Sequence, residues 1–146
     1  MATQHAADEA DIRARIDRWA AAIGRMDISR VMSIYTPDVV SFDLAGALQC
    51  VGAEAKKKPW RDVFSMYLSP IDYEVRDLSL TLGETVAFGH SFNRISGTRH
   101  NGEKTSVWVR WTPCFRKIDG NWLIAHEQVS VPIDPASGTA LRNLEP

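Results

Sequence analysis

The sequence predicts an α+β domain, helices first and a sheet afterwards, on three observations. Apolar residues recur at helical spacing only before Pro70, four long strand-like stretches follow it, and the breaks between those stretches carry hairpin-turn residues. An alternating order of strands and helices, the mark of a parallel sheet, is missing.

Each element has its own signal. In residues 11–26 the apolar positions Ile12, Ile16, Trp19, Ala20, Ile23 and Met26 fall on one helical face, with Arg13, Arg15, Asp17 and Arg18 between them. Gly24 and the N-cap candidate Asp27 mark a break, and Val31, Met32 and Tyr35 supply the face of a second, short helix that Pro37 ends. Val39-Val40-Ser41-Phe42-Asp43 reads as a strand, Leu44-Ala45-Gly46-Ala47 as a turn and Leu48-Gln49-Cys50-Val51 as a short returning strand. Gly52 then opens a third helical segment with Trp60, Val63, Phe64 and Tyr67 on one face. Pro59, which lacks a backbone donor, is expected to start or kink that helix. The run Lys56-Lys57-Lys58 reads as a solvated helix face. Residues 73–82, 85–96, 105–118 and 121–131 are the long strands, separated by Gly83-Glu84, His100-Asn101-Gly102 and Asp119-Gly120, where Asn-Gly and Asp-Gly accept the positive φ of tight turns. The expected organisation is a flexible N-terminus over 1–10, one domain over 11–132 and a C-terminal tail over 133–146.

Composition removes several function classes. A formal net charge of −1 leaves no electrostatic footprint for nucleic acid or an anionic membrane, and no segment approaches the roughly 20 apolar residues needed to span a bilayer. The start of the chain lacks a basic, then apolar, leader, which points to a cytoplasmic address. Cys50 and Cys114 form neither a disulfide framework nor a Cys-x-x-Cys pair, and His90, His126 and Asp43 lack metal-ligand spacing, so neither a metal nor a cofactor is expected. Gly-x-Ser-x-Gly and Gly-rich phosphate loops are absent.

The long strands lack strict polar alternation, which predicts a sheet covered on both faces. Helices cover one. The other, carrying Leu123, Ala125, Val129 and Val131 in the last strand, is expected to be covered by a second copy in a homodimer. Trp122, Ile124, His126, Gln128 and Ser130 then share the opposite face, where apolar bodies and polar tips suit a ligand cleft. Trp19, Tyr35, Trp60, His90, Arg94, Trp108 and Arg110 are further candidates for the lining. Arg94 and Arg110 either hold a ligand carboxylate bidentately or pair with Glu127 or Glu103. The expected ligand is a small apolar or carboxylate-bearing molecule. Asp43 is a candidate general base or a turn residue capping backbone N–H groups, and His126 a candidate acid or base or a structural histidine.

One order of motifs runs through these residues: an amphipathic helix ending near Gly-x-x-Asp, a short helix ending in Tyr, a strand ending in Asp, a Gly-led third helix, and a meander closing on Asp119-Gly120-Asn121-Trp122 and His126-Glu127-Gln128-Val129-Ser130. It resembles the SnoaL-like and ketosteroid isomerase branch of the nuclear transport factor two-like superfamily. That resemblance implies a cone-like roll, a curved antiparallel sheet packed against about three N-terminal helices, of cystatin-like type. It also implies a cofactor-independent isomerase, cyclase or hydratase/dehydratase, with Asp43, eight residues after Tyr35, as the proton-shuttling base. The family's oxyanion-hole tyrosine falls by spacing on Trp19, whose indole donates but is not a phenolic acid, and residues 107–115 hold no Asp for the protonated partner. The chain is similar as well to the association domain of calcium/calmodulin-dependent kinase II, which implies a non-catalytic dimeric binding or assembly module as the alternative.

Overall fold

The computed structural model describes residues 2–146. Helix α1 (Ala2–Gly24) presents Ile12, Ile16, Trp19, Ala22 and Ile23 to the core, all nearly inaccessible to solvent. It starts nine residues before the apolar periodicity does. Local side-chain pairs accompany that extension: Gln4 donates to Asp8 at 3.1 Å, and Arg13 and Arg15 pair with Glu9 and Asp11 one turn earlier. Residues 2–10, set apart by sequence as a flexible N-terminus, therefore continue the helix; Met1 lies outside the described residues.

Asp27 caps the short helix α2 (Ile28–Met32) by accepting from the backbone N–H of Arg30 at 3.2 Å. Tyr35, expected at the end of that helix, is the first residue of strand β1 (Tyr35–Phe42). Strand β2 is only Cys50–Val51, and helix α3 (Ala53–Ser65) runs through Pro59. The long strands are β3 (Asp72–Leu82), β4 (Val86–Thr98), β5 (Lys104–Ile118) and β6 (Asn121–Ser130), within two residues of the expected bounds. The β5–β6 turn has positive φ at both Asp119 (50°) and Gly120 (79°), as an Asp-Gly hairpin turn requires.

The strands form one curved, unclosed sheet in the order β2-β1-β6-β5-β4-β3. Every neighbouring pair is antiparallel except β1 and β6, which run parallel. The three helices sit on one side, and Trp111, Phe115, Trp122 and Ile124 from the sheet close the core against α1. Burial of each such side chain contributes roughly 1.5–3 kcal/mol. Among the described residues no helix is long and apolar enough to cross a membrane.

One irregularity decides which residues share a face. Cys114 pairs with His126 and the adjacent Phe115 with Ile124, so Ala125 is an extra residue on β6, a β-bulge. Before it the even residues Trp122 and Ile124 point to the helices; after it the odd residues Glu127 and Val129 do, opposite Pro113 and Trp111. The uninterrupted alternation expected from sequence places Trp122, His126 and Gln128 together. The bulge moves His126 and Gln128 to the outer face, leaving Gln128 exposed and His126 half-buried, and exchanges Val129 for them on the inner one.

Candidate functional site on the helix side of the sheet

Under the sheet, where β1, β5, β6 and α3 meet, lies a cluster of charged side chains. Glu127 is 1% exposed and Lys56 4%. Glu127 accepts from the Trp111 indole at 2.9 Å on Oε1, and on Oε2 from the Tyr35 hydroxyl at 3.0 Å and Lys56 Nζ at 3.0 Å. The Trp60 indole donates to the Tyr35 hydroxyl at 3.1 Å. Lys56 also donates to Ser41 Oγ at 3.0 Å and to the Asp43 carboxylate, and Ser41 donates to Asp43 at 2.6 Å. A buried carboxylate this well supplied with donors avoids the several-kcal/mol penalty of an unpaired interior charge.

Local sequence explains each position. Ser41 pairs directly across with Glu127 on β6, and Asp43 leaves the strand two residues later, which returns its side chain to the same face. Lys56 sits one helical turn before Trp60, so both point at the sheet, and its ammonium lies 5.9 Å and 5.8 Å from the Tyr35 and Trp60 ring centroids. Burial opposes the charge on Lys56, but the carboxylates of Glu127 and Asp43 outweigh it and hold its pKa above the ordinary value. Burial, reinforced by the Glu127 charge, raises the Tyr35 phenol well above its usual range. Asp43 is the outermost member, its side chain 14% exposed. With two carboxylates and one ammonium, the cluster carries one formal negative charge in excess.

A second polar chain adjoins it. Ser91 donates to Asn93 at 2.6 Å, and Asn93 donates to the Tyr73 hydroxyl at 2.9 Å. Aromatic side chains fill the space between: Trp19 stacks on Trp111 at 4.7 Å and meets Trp60 and Tyr73 edge-on at 5.8 and 5.4 Å. Half-buried Phe64, Val75 and Val129 border this aromatic group.

Of the residues singled out from sequence, Asp43, Trp19, Tyr35, Trp60 and Trp122 lie on the helix side, the first four in or beside the cluster. His126, His90, Arg94, Trp108, Arg110 and Gln128 do not. His126 Nδ1 lies 2.6 Å from the Val40 carbonyl and its ring meets Phe42 edge-on at 4.7 Å, on the outer face. Arg94 pairs with Asp72 at 2.7 Å and Glu74 at 3.3 Å, neither of the partners expected, and Arg110 donates to Ser130 at 3.0 Å. Trp108 is covered by Arg76, 4.4 Å from its ring centroid. No expectation from sequence places Lys56 or Ser41 in the site, and Glu127, expected only as a partner of Arg94 or Arg110, pairs with Lys56 instead. Lys56 is legible in retrospect from its i−4 relation to Trp60, whereas Glu127 faces inward only because of the bulge.

Among the described residues no group of three or more His, Cys, Asp or Glu side chains is placed to hold a metal ion. Two crevices indent the surface elsewhere. One of about 210 Å³ lies between α1 and α2, and one of about 450 Å³ lies on the outer sheet face, lined in part by Phe88, Cys114 and His126.

Three helices on one side of a curved, unclosed sheet, with polar groups gathered beneath it, define the class of cone-like α+β rolls. A family model described as a SnoaL-like domain matches residues 12–134, and the chain belongs to that family. It is similar to a nuclear transport factor two-like protein of unknown function from Pseudomonas putida KT2440, at 31% identity over 97% of this chain and 98% of the other, with a TM-score of 0.87. A ketosteroid isomerase-like protein from Erwinia carotovora atroseptica is 25% identical over 83% of this chain and 93% of its own, with a TM-score of 0.69. A nuclear transport factor two-like superfamily protein from Salmonella enterica serovar Typhimurium shares the fold at 16% identity, TM-score 0.77, over 95% and 99% of the two chains. No curated protein matches the chain.

Proposed function

We propose that this SnoaL-like chain binds a small, largely apolar molecule at the rim of the helix side of its sheet, where Asp43 reaches solvent, and that Asp43 acts there as the general base of a cofactor-independent isomerisation or elimination. The observation that carries the proposal is the placement of Asp43. It is the most accessible charged group of the cluster, and Ser41 and Lys56, themselves anchored to buried Glu127, fix its orientation. A carboxylate so oriented accepts a proton from a carbon beside a carbonyl, and the adjacent ammonium offsets the negative charge that develops on the substrate. The ketosteroid isomerase-like relative supports this class of chemistry. His126 has no part in it, because a residue on the outer face does not reach a substrate held on the inner one.

The test is deuterium exchange at the α-carbons of a panel of small cyclic ketones, followed by proton NMR. Exchange above the buffer rate is expected, with a loss of about 10²–10⁴-fold in Asp43→Asn and little change in His126→Asn. Exchange equal in wild type and Asp43→Asn, or none with any ketone, would contradict the assignment.

A second copy of the chain is the proposed cover for the outer face. Val86 (57% exposed) and Phe88 (52%) stand there beside partly exposed Phe42 and Phe92, an apolar surface that solvent disfavours. Sedimentation equilibrium decides this: a dimer supports the proposal, and a monomer at every accessible concentration removes it.

A further inference from the structure

We infer that the crevice between α1 and α2 is a binding site for the phosphate group of a small soluble molecule, separate from the Asp43 cluster. Arg15 and Arg18 from α1, Arg25 just past its end and Arg30 from α2 line this space of about 210 Å³, together with Trp19 and Ser33. No carboxylate lines it. Arg15 and Arg30 have carboxylate neighbours on their own elements, Asp11 at 3.2 Å and Asp27 at 3.3 Å, whereas Arg18 and Arg25 form no ion pair among the described residues. Four guanidinium groups less two carboxylates leave two positive charges, the complement of a phosphate monoester dianion. Guanidinium forks match phosphate oxygens in pairs, which a solvated lysine patch does not do.

Two further features distinguish the crevice from an ordinary basic surface. Asn121 Oδ1 accepts from Arg15 Nη2 at 2.8 Å, holding that head group in place before any ligand arrives. Trp19, 2% exposed, is part of the crevice wall, and its buried indole N–H has no hydrogen-bond partner. A buried donor left unpaired costs about 1–3 kcal/mol, and Trp19 is the wall residue that carries one. The volume is below the roughly 300–1,000 Å³ of pockets that enclose a whole drug-sized ligand, so it takes the anionic group and leaves the remainder of the molecule outside.

Isothermal titration calorimetry of the full chain with inorganic phosphate, at constant ionic strength set by chloride, tests the inference. It is paired with 15N NMR of the tryptophan indoles. Saturable one-to-one binding is expected, with the Trp19 indole resonance moving along the same isotherm. The exposed pair Arg18→Ala/Arg25→Ala, whose fold is checked by its melting temperature, is expected to weaken binding about tenfold or more. Absence of saturable binding, equal affinity in the double variant, equal competition by chloride, or saturation without movement of the Trp19 indole would each overturn it.

Discussion

The two faces of this sheet handle their awkward residues in opposite ways. On the helix side, Glu127, Lys56, Tyr35, Ser41 and Asp43 are charged or polar groups in a mainly apolar interior, and each has a partner within the cluster. On the outer side the residues that conflict with their surroundings are apolar: Val86 and Phe88 stand more than half exposed, and His126 lies half-buried among them. The first face is internally complete and the second lacks a cover. Under the proposed function the chemistry belongs to the inner face and association to the outer, so substitutions on the two faces should separate cleanly.

The largest effect is expected from Lys56→Met. Removing the ammonium leaves Glu127 and Asp43 as neighbouring carboxylates without their common counter-charge, which costs about 3–5 kcal/mol in stability. Urea denaturation measures it, and a loss below about 1 kcal/mol would erase the contrast between the faces. Phe88→Asp acts on the other face, where it should convert the proposed dimer to monomer in sedimentation equilibrium while leaving the inner cluster intact.

Tyr35→Phe comes next, at about 1–2 kcal/mol, because Glu127 and the Trp60 indole each lose a partner. It also has a pH signature. Burial, then the Glu127 charge, raises the Tyr35 pKa above its ordinary 10.0, and the carboxylates of Glu127 and Asp43 hold Lys56 above its ordinary 10.5 against burial. The folded chain therefore keeps protons that the unfolded chain releases, so this stabilisation is complete below about pH 10 and declines as pH rises further. The decline should be shallower in Tyr35→Phe. The smallest effect is expected for His126→Ala, under about 1 kcal/mol, with the alkaline decline unchanged.

The helices and long strands were legible because apolar periodicity and turn residues are local signals. Asp119-Gly120 alone fixes the β5–β6 hairpin, and the β-branched and aromatic run of residues 39–43 marks a strand whose end joins the cluster. Legibility failed where one residue changes parity. Sequence alternation groups His126 and Gln128 with Trp122, and nothing local to Ala125 announces the bulge that separates them and turns Glu127 inward. Lys56 was misplaced for a different reason: in a run of three lysines, only its position one turn before Trp60 distinguishes the buried member from its solvated neighbours. The helical start at residues 2–10 is not legible because Asp8–Lys117 at 3.1 Å, a contact far apart in sequence, anchors a segment without apolar periodicity.

Lys56 and Glu127 are expected to form one energetically coupled unit beneath the sheet. A double-mutant cycle with Lys56→Met and Glu127→Gln, read by urea denaturation, tests it most directly. A coupling energy of about 1–3 kcal/mol is expected, whereas losses that add within about 0.5 kcal/mol would contradict it.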